Sequence, residues 1–415
     1  MKRITRILMV VATVALSLSA LMTSRVSAAT NLTLEGWSSS PNENKLLQQI
    51  VDTFNKNNPD IVVKLNQVPD YDTTLAKDLA SGSPPDVFYV DEFRLPDLVN
   101  AGALQPIGDK MQNVEDFYPT LKAAFTFNGT FYCPPKDFST LALFVNTDMM
   151  KAANVKVPTT WDELAAAAKA MTSSKVAGIV IPNDLARWIA FLYQAGGSVT
   201  DDNFTKMTIN SSEGLQALKF YTDLYLNGNA KTPQDLGAGW AGEAFGKGLA
   251  AMAIEGNWLV PPLTTDYKNI KYTVAELPAG PKGKATMAFT VCYAVPKAAK
   301  AADASLKLVN YLAGSDGMKA WTDLGLAMPT RQSLSAGWLQ EFPNLKPFLD
   351  GAAYAHKWQF VPGFQAVLDK TNNDILSVFS GSMTPEDALK DIESIGNQVL
   401  AQNKGSATQA ATASQ

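Results

Sequence analysis

The chain predicts a two-lobe α/β protein, and three observations carry that expectation. At 415 residues it exceeds what one hydrophobic core usually serves. It reads strand, helix, strand near its start, and again between about Leu141 and Leu277, the spacing of parallel βαβ units. Between these units lies Tyr132 to Asn146, too apolar for a surface loop. There Pro134 and Pro135 bar a regular central strand, and Leu141, Leu143 and Val145 then alternate as a buried strand. A prolyl break ahead of a buried strand marks a chain leaving one sheet for another, with a ligand cleft beside the crossing. Lys136, Asp137 and Phe138, which have no obvious core role, sit at that break.

The N-terminus opens with Lys2, Arg3 and Arg6, then an apolar run from Ile7 to Leu21 and a small-residue site at Val26-Ser27-Ala28. This is a secretory signal over 1–28, with an uncleaved anchor as the alternative. No cysteine at the site offers a lipid attachment point, and no other apolar run is long enough to span a bilayer. The expected location is therefore periplasmic or extracellular.

Asn31 to Trp37 alternates as a strand. Leu46, Leu47, Ile50, Val51 and Phe54 recur at helical spacing before Asn57-Asn58-Pro59 stops the helix. Ile61 to Val68 is the next strand, Tyr71 to Ala80 a helix, and 85–90 a short apolar strand running into Asp91-Glu92-Phe93-Arg94. Trp37 and that acidic loop both fall at carboxyl ends of strands, where open parallel sheets gather ligands. Asn128-Gly129 signals a tight hairpin. Beyond the crossing, Thr160 caps an alanine-rich helix, 176–181 is a strand, 184–195 a helix, 211–226 a long amphipathic helix and 250–255 a strand ending in Gly256-Asn257-Trp258. The apolar run 285–295 meets Pro296 and reads as the return crossing; helices at 301–313 and 316–324 complete the first lobe. Ala327 to Arg331 is a third crossing, the pattern is then helical to about Gln402, and 404–415 is a disordered tail.

Composition narrows the function. Hydrophobic residues at 46% and charged residues at 18% suit sizeable cores. The net charge of −4 becomes about −8 once Lys2, Arg3, Arg6 and Arg25 are removed, which disfavours nucleic acid and anionic membrane as partners. Two cysteines, Cys133 and Cys292, each precede a proline in an apolar strand; if both strands are crossings they can pair, the alternative being two buried thiols. With one histidine, His356, a Cys/His metal site is not expected. Gly237 to Gly242 matches G-x-G-x-x-G by letter, but no strand precedes it and Trp240 occupies the turn, so no dinucleotide site is expected. Asp91, Glu92, Asp137, Asp184 and Glu255 could reach a cleft, yet their spacing picks out no acid and nucleophile, so no catalytic residue is assigned. Trp37, Trp188, Trp240, Trp258 and Trp358 stand at strand ends or in loops beside polar residues, where an indole can cover the apolar face of a pyranose. Nearby arginines are few (Arg94, Arg187, Arg331), which favours an uncharged ligand.

An ordered series of stretches also resembles a known family. Tyr132 to Asp148, Pro158-Thr159-Thr160-Trp161-Asp162-Glu163-Leu164, Phe245 to Trp258 and Gly325 to Arg331 are similar to segments of extracellular solute-binding proteins of sugar ABC transporters, the maltose-binding-protein-like family 1. The resemblance implies a type II periplasmic-binding-protein-like fold, its lobes joined by hinge crossovers. The parts would be 29–139 and 289–328 for lobe 1, and 140–288 with 329–403 for lobe 2 and the C-terminal helices. It implies carbohydrate contacts from Trp37, Asp91, Glu92, Phe93, Asp137 and Phe138 on one side and from Asp184, Trp188, Trp240 and Trp258 on the other, with Trp358 a further contact. The expected partners are a carbohydrate and the permease subunits of an ABC transporter, for a monomer without cofactor, metal or catalysis. The alternatives are a secreted carbohydrate-active hydrolase, or a binder or sensor of another small polar solute with the same fold. Cysteines at 133 and 292 replace the family's usual small residues, and a bridge there would stiffen the hinge.

Overall fold

The computed structural model describes residues 29–37, 41–325 and 327–413, with side chains to Asn403. The expected signal segment lies outside the described residues. Strand β1 (Thr30–Trp37) runs parallel to β2 (Ile61–Val68), with Thr30 opposite Ile61 and Trp37 opposite Val68. The helix Pro41–Asn57 joins them and buries Leu47, Ile50, Val51 and Phe54, because these four recur on one face. After the helix Tyr71–Ala80 comes β3 (Val87–Asp91), parallel to β1 and buried on both faces. A short β4 (Leu104–Gln105) precedes the hairpin of β5 (Thr126–Phe127) and β6 (Thr130–Phe131). Asn128 and Gly129 turn that hairpin at φ of 49° and 75°, left-handed values that Asn-Gly tolerates.

The crossing falls at Leu141. Strand β7 (Pro135–Thr140) belongs to the first sheet and β8 (Ala142–Asn146) to the second. Pro135 does not exclude a strand; it begins one, the first position being where a missing N–H is tolerated. Along the crossing, Leu141, Leu143 and Val145 enter one core, while Ala142 and Phe144 enter another on the opposite face.

The second sheet adds β9 (Ile179–Val180), β10 (Ala230–Lys231), β11 (Met252–Glu255) and β12 (Tyr272–Ala275), in the order β10-β9-β11-β8-β12. Its β9, β10 and β11 are parallel, whereas β8 runs antiparallel to β11 and β12. The expected parallel unit holds for β9, β10 and β11 and is corrected for β8 and β12. The chain enters this sheet along a crossing strand, so no helical crossover imposes a parallel partner.

The return crossing is β13 (Thr286–Pro296), antiparallel to β3 and to β7. Helices Ala302–Leu312 and Ser315–Thr322 then bury Leu308, Val309, Leu312, Met318 and Trp321 in the first core. The third crossing lies beside the first: Phe138 and Met328 exchange backbone hydrogen bonds of 3.2 and 3.0 Å. Beyond this crossing the chain is not wholly helical. Strand β14 (Ala355–Lys357) joins β13, a three-residue element with too little pattern to announce itself. The helices Gln365–Phe379 and Pro385–Ala413 close the chain, and both pack on the second lobe's core. The stretch 404–415, expected as a tail, falls on the end of the last helix and on residues outside the description. Cys133 and Cys292 form a disulfide with Cα atoms 5.7 Å apart; both sit in the first lobe's core, so the bridge clips two crossing segments on that side.

Candidate functional site

A cavity of roughly 530 Å³ opens where the two sheets meet. Strand ends supply its walls: Trp37 ends β1, Asp91 to Arg94 follow β3, and Asn257 and Trp258 follow β11, while Lys136 to Ser139 of β7 and Phe289 to Val291 of β13 form its base. Trp321 and Trp358 also line it, with Glu43, Asp72 and Ala327. Residues distant in sequence converge because both hinge strands run beneath the cleft.

Of the expected site residues, Trp37, Asp91, Glu92, Phe93, Asp137, Phe138, Trp258 and Trp358 line this cavity. Three do not. Trp188 is fully buried in the second lobe's core, since it falls on the apolar face of helix Leu185–Gln194. Trp240 packs on the other core of that lobe, its ring lying over Gly242. Asp184 caps the helix start, accepting from the Arg187 amide at 2.8 Å. The glycine-rich run follows a 3-10 turn rather than a strand and leads into a six-residue helix.

The polar groups are of two kinds. Some are committed: Arg94 pairs with Asp72 at 2.7 Å, and Lys136 with Asp137. Trp321 Nε1 donates to Asp137 Oδ2 at 2.6 Å, and the Lys136 ammonium lies 3.8 Å from the Trp321 ring centroid. Trp258 Nε1 donates to Glu255 Oε2 at 2.9 Å, and Arg187 Nη2 reaches the same oxygen at 2.6 Å. Others are unmet. Glu92 is 1% exposed and has no side-chain hydrogen-bond partner, only the backbone amides of Trp358 and Thr290 lying against its carboxyl; the Asn257 side-chain amide nitrogen, also buried, has none. Burial pushes the Glu92 carboxyl well above the ordinary carboxylate range, and the neighbouring Asp91 adds to the push. Burial also raises Glu255, against the pull of Arg187.

The aromatic walls are partly engaged with one another. Trp37 meets Tyr71 and Tyr89 edge-on at 5.7 and 5.1 Å. Phe93, after β3, stacks on Trp358, after β14, at 5.6 Å, and Gly363 N–H donates to Asp97 Oδ1 at 2.9 Å. Among the described residues no group of three or more His, Cys, Asp or Glu side chains is placed to hold a metal ion. Sequence reasoning missed Trp321, Phe289 and Asn257 as lining residues. Trp321 lies within a helical pattern and Phe289 within an apolar strand, so neither carries a signal; Asn257 stood beside Trp258 in the strand-end motif and could have been taken with it.

The sequence profile described as bacterial extracellular solute-binding protein matches residues 38–319. The chain belongs to that family. A binding protein of Brucella abortus is 24% identical over 372 residues, spanning 85% of this chain and 89% of its own. The arabinooligosaccharide-binding protein of Bacillus subtilis is 25% identical over 330 residues, 74% of this chain and 75% of its own. An ABC substrate-binding protein from Listeria monocytogenes, solved with cycloalternan, superposes with a TM-score of 0.82 at 26% identity, covering 90% of this chain and 99% of that one. The two-lobe α/β architecture is thus that of the family's solved members. Among the described residues no helix is long and apolar enough to cross a membrane.

Proposed function

We propose that this solute-binding protein captures an uncharged mono- or short oligosaccharide in the cleft and delivers it, chemically unchanged, to an ABC transporter permease. One observation carries the ligand class. A buried Glu92 carboxyl with no side-chain partner and an unpartnered Asn257 donor stand among Trp37, Phe93, Trp258, Trp321 and Trp358. A sugar hydroxyl both donates and accepts, and a pyranose face is apolar, so one polyhydroxylated ring meets both needs. The two cations that line the cleft, Arg94 and Lys136, are paired with carboxylates, which speaks against a phosphorylated or uronic ligand. The arabinooligosaccharide-binding protein of Bacillus and the Listeria protein solved with cycloalternan support the same class. Trp37, Asp91, Glu92, Phe93, Asp137, Phe138, Trp258 and Trp358 would touch the sugar. The protein would act as an exported, periplasmic or extracellular monomer.

A thermal-shift screen over neutral mono- and oligosaccharides tests this. A sugar at about 100 times its Kd stabilises the folded state by about 2.7 kcal/mol. No shift with any neutral saccharide, or a shift only with phosphorylated or uronic sugars, would overturn the reading. Release of reducing ends from a bound oligosaccharide would favour a hydrolase.

A further inference from the structure

One tryptophan from each lobe lines the cleft with its indole N–H already spent. In the second lobe Trp258 donates to Glu255 Oε2 at 2.9 Å, and Arg187, whose guanidinium carbon lies 5.6 Å from the Trp258 ring centroid, holds the same oxygen at 2.6 Å. In the first lobe Trp321 donates to Asp137 Oδ2, and the ammonium of Lys136 lies against both that oxygen and the ring. Two unrelated stretches of chain have built the same three-part unit of indole, carboxylate and cation.

These units are buried: Glu255 is 1% exposed and Lys136 4%. A buried ion pair contributes little net stability, because desolvation of both charges offsets their attraction. Its geometric effect is larger. Charge-assisted hydrogen bonds fix the indole edge, and the cation against the ring restrains its tilt. We propose that Arg187 with Glu255, and Lys136 with Asp137, are positioning residues that clamp Trp258 and Trp321 so that each offers the ligand a ring face rather than its N–H. This rests on the cleft being the saccharide site proposed above.

The test uses the full mature chain with 15N-labelled tryptophan. The indole N–H signals of Trp258 and Trp321, assigned by Trp258→Phe and Trp321→Phe, should exchange with water at least about tenfold more slowly than an exposed indole. Glu255→Gln should speed exchange at Trp258 and leave Trp321 unchanged. Should that variant not fold, Arg187→Lys, which keeps the charge but loses the planar fork, should also speed it. In calorimetry with maltotriose as the probe, Glu255→Gln should weaken binding severalfold, and that loss should shrink in the Trp258→Phe background, because Glu255 acts through the indole N–H. Exchange at Trp258 as fast as in free tryptophan would overturn the proposal. So would an equal loss from Glu255→Gln with and without the indole N–H. If maltotriose and every other saccharide fail to bind, the transport reading falls while the exchange measurement still decides this one.

Discussion

Glu92 occupies the cleft as a buried carboxyl without a side-chain hydrogen-bond partner, and its titration reports on folding. Because burial raises its folded pKa above the ordinary value of 4.5, the folded state keeps a proton that the unfolded chain gives up. Its contribution is therefore most favourable below the ordinary carboxylate pKa and declines as pH rises from there toward the folded value. Glu92→Gln removes that dependence. The variant should gain on the wild type as pH rises from about 4.5 toward neutral, in urea melts across that range. A difference independent of pH would show that Glu92 is solvated. Trp258→Ala should weaken saccharide binding by more than about 1 kcal/mol in calorimetry, from loss of the aromatic face. At this scale the sequence marked Trp37, Trp258 and Trp358 by placing them next to polar residues at strand ends. The same rule wrongly included Trp188 and Trp240: a loop or strand-end position does not say which way a side chain points. In Trp188 the apolar face of a helix decided.

Strand β8 shows what an element can announce. Its residues, apolar but for the closing Asn146, are buried on both faces, and this was readable as a buried crossing strand. Phe144 meets Phe245, Tyr272 and Phe348 with centroids 5.7 to 6.0 Å away. Phe144→Ala should cost about 3–5 kcal/mol in chemical denaturation, the usual range for a phenylalanine deleted from a packed core. Thr160, which accepts from the Glu163 amide, was legible as a helix cap from its place before Trp161-Asp162-Glu163. Strand direction was not legible. The antiparallel setting of β8 and β13 depends on which sheet each strand enters, and β14 is formed only because β13 offers it an edge.

On the scale of the whole molecule, the first lobe is tied covalently beside the crossings as well as by packing. The bridge Cys133–Cys292 closes a sequence separation of 159 residues, so removing it with Cys133→Ala and Cys292→Ala should cost about 2–5 kcal/mol in urea unfolding. Saccharide affinity should change little, because both sulfurs lie in one lobe's core rather than between lobes. Since the cleft takes walls from both lobes, Trp37→Ala on one side should weaken binding as Trp258→Ala does on the other. Binding that ignores one lobe would argue against capture by closure. By itself the sequence determined the two βαβ-type units, the crossing at 132–146, the family and the character of the ligand wall, because these depend on local periodicity and residue type. Only the tertiary structure decided which tryptophans share the cleft, that the two cysteines meet, and that Trp258 and Trp321 are each tied to an ion pair. Those facts are contacts between segments far apart in sequence, 184 residues for Asp137 and Trp321 and 159 for the two cysteines, and no local pattern encodes them.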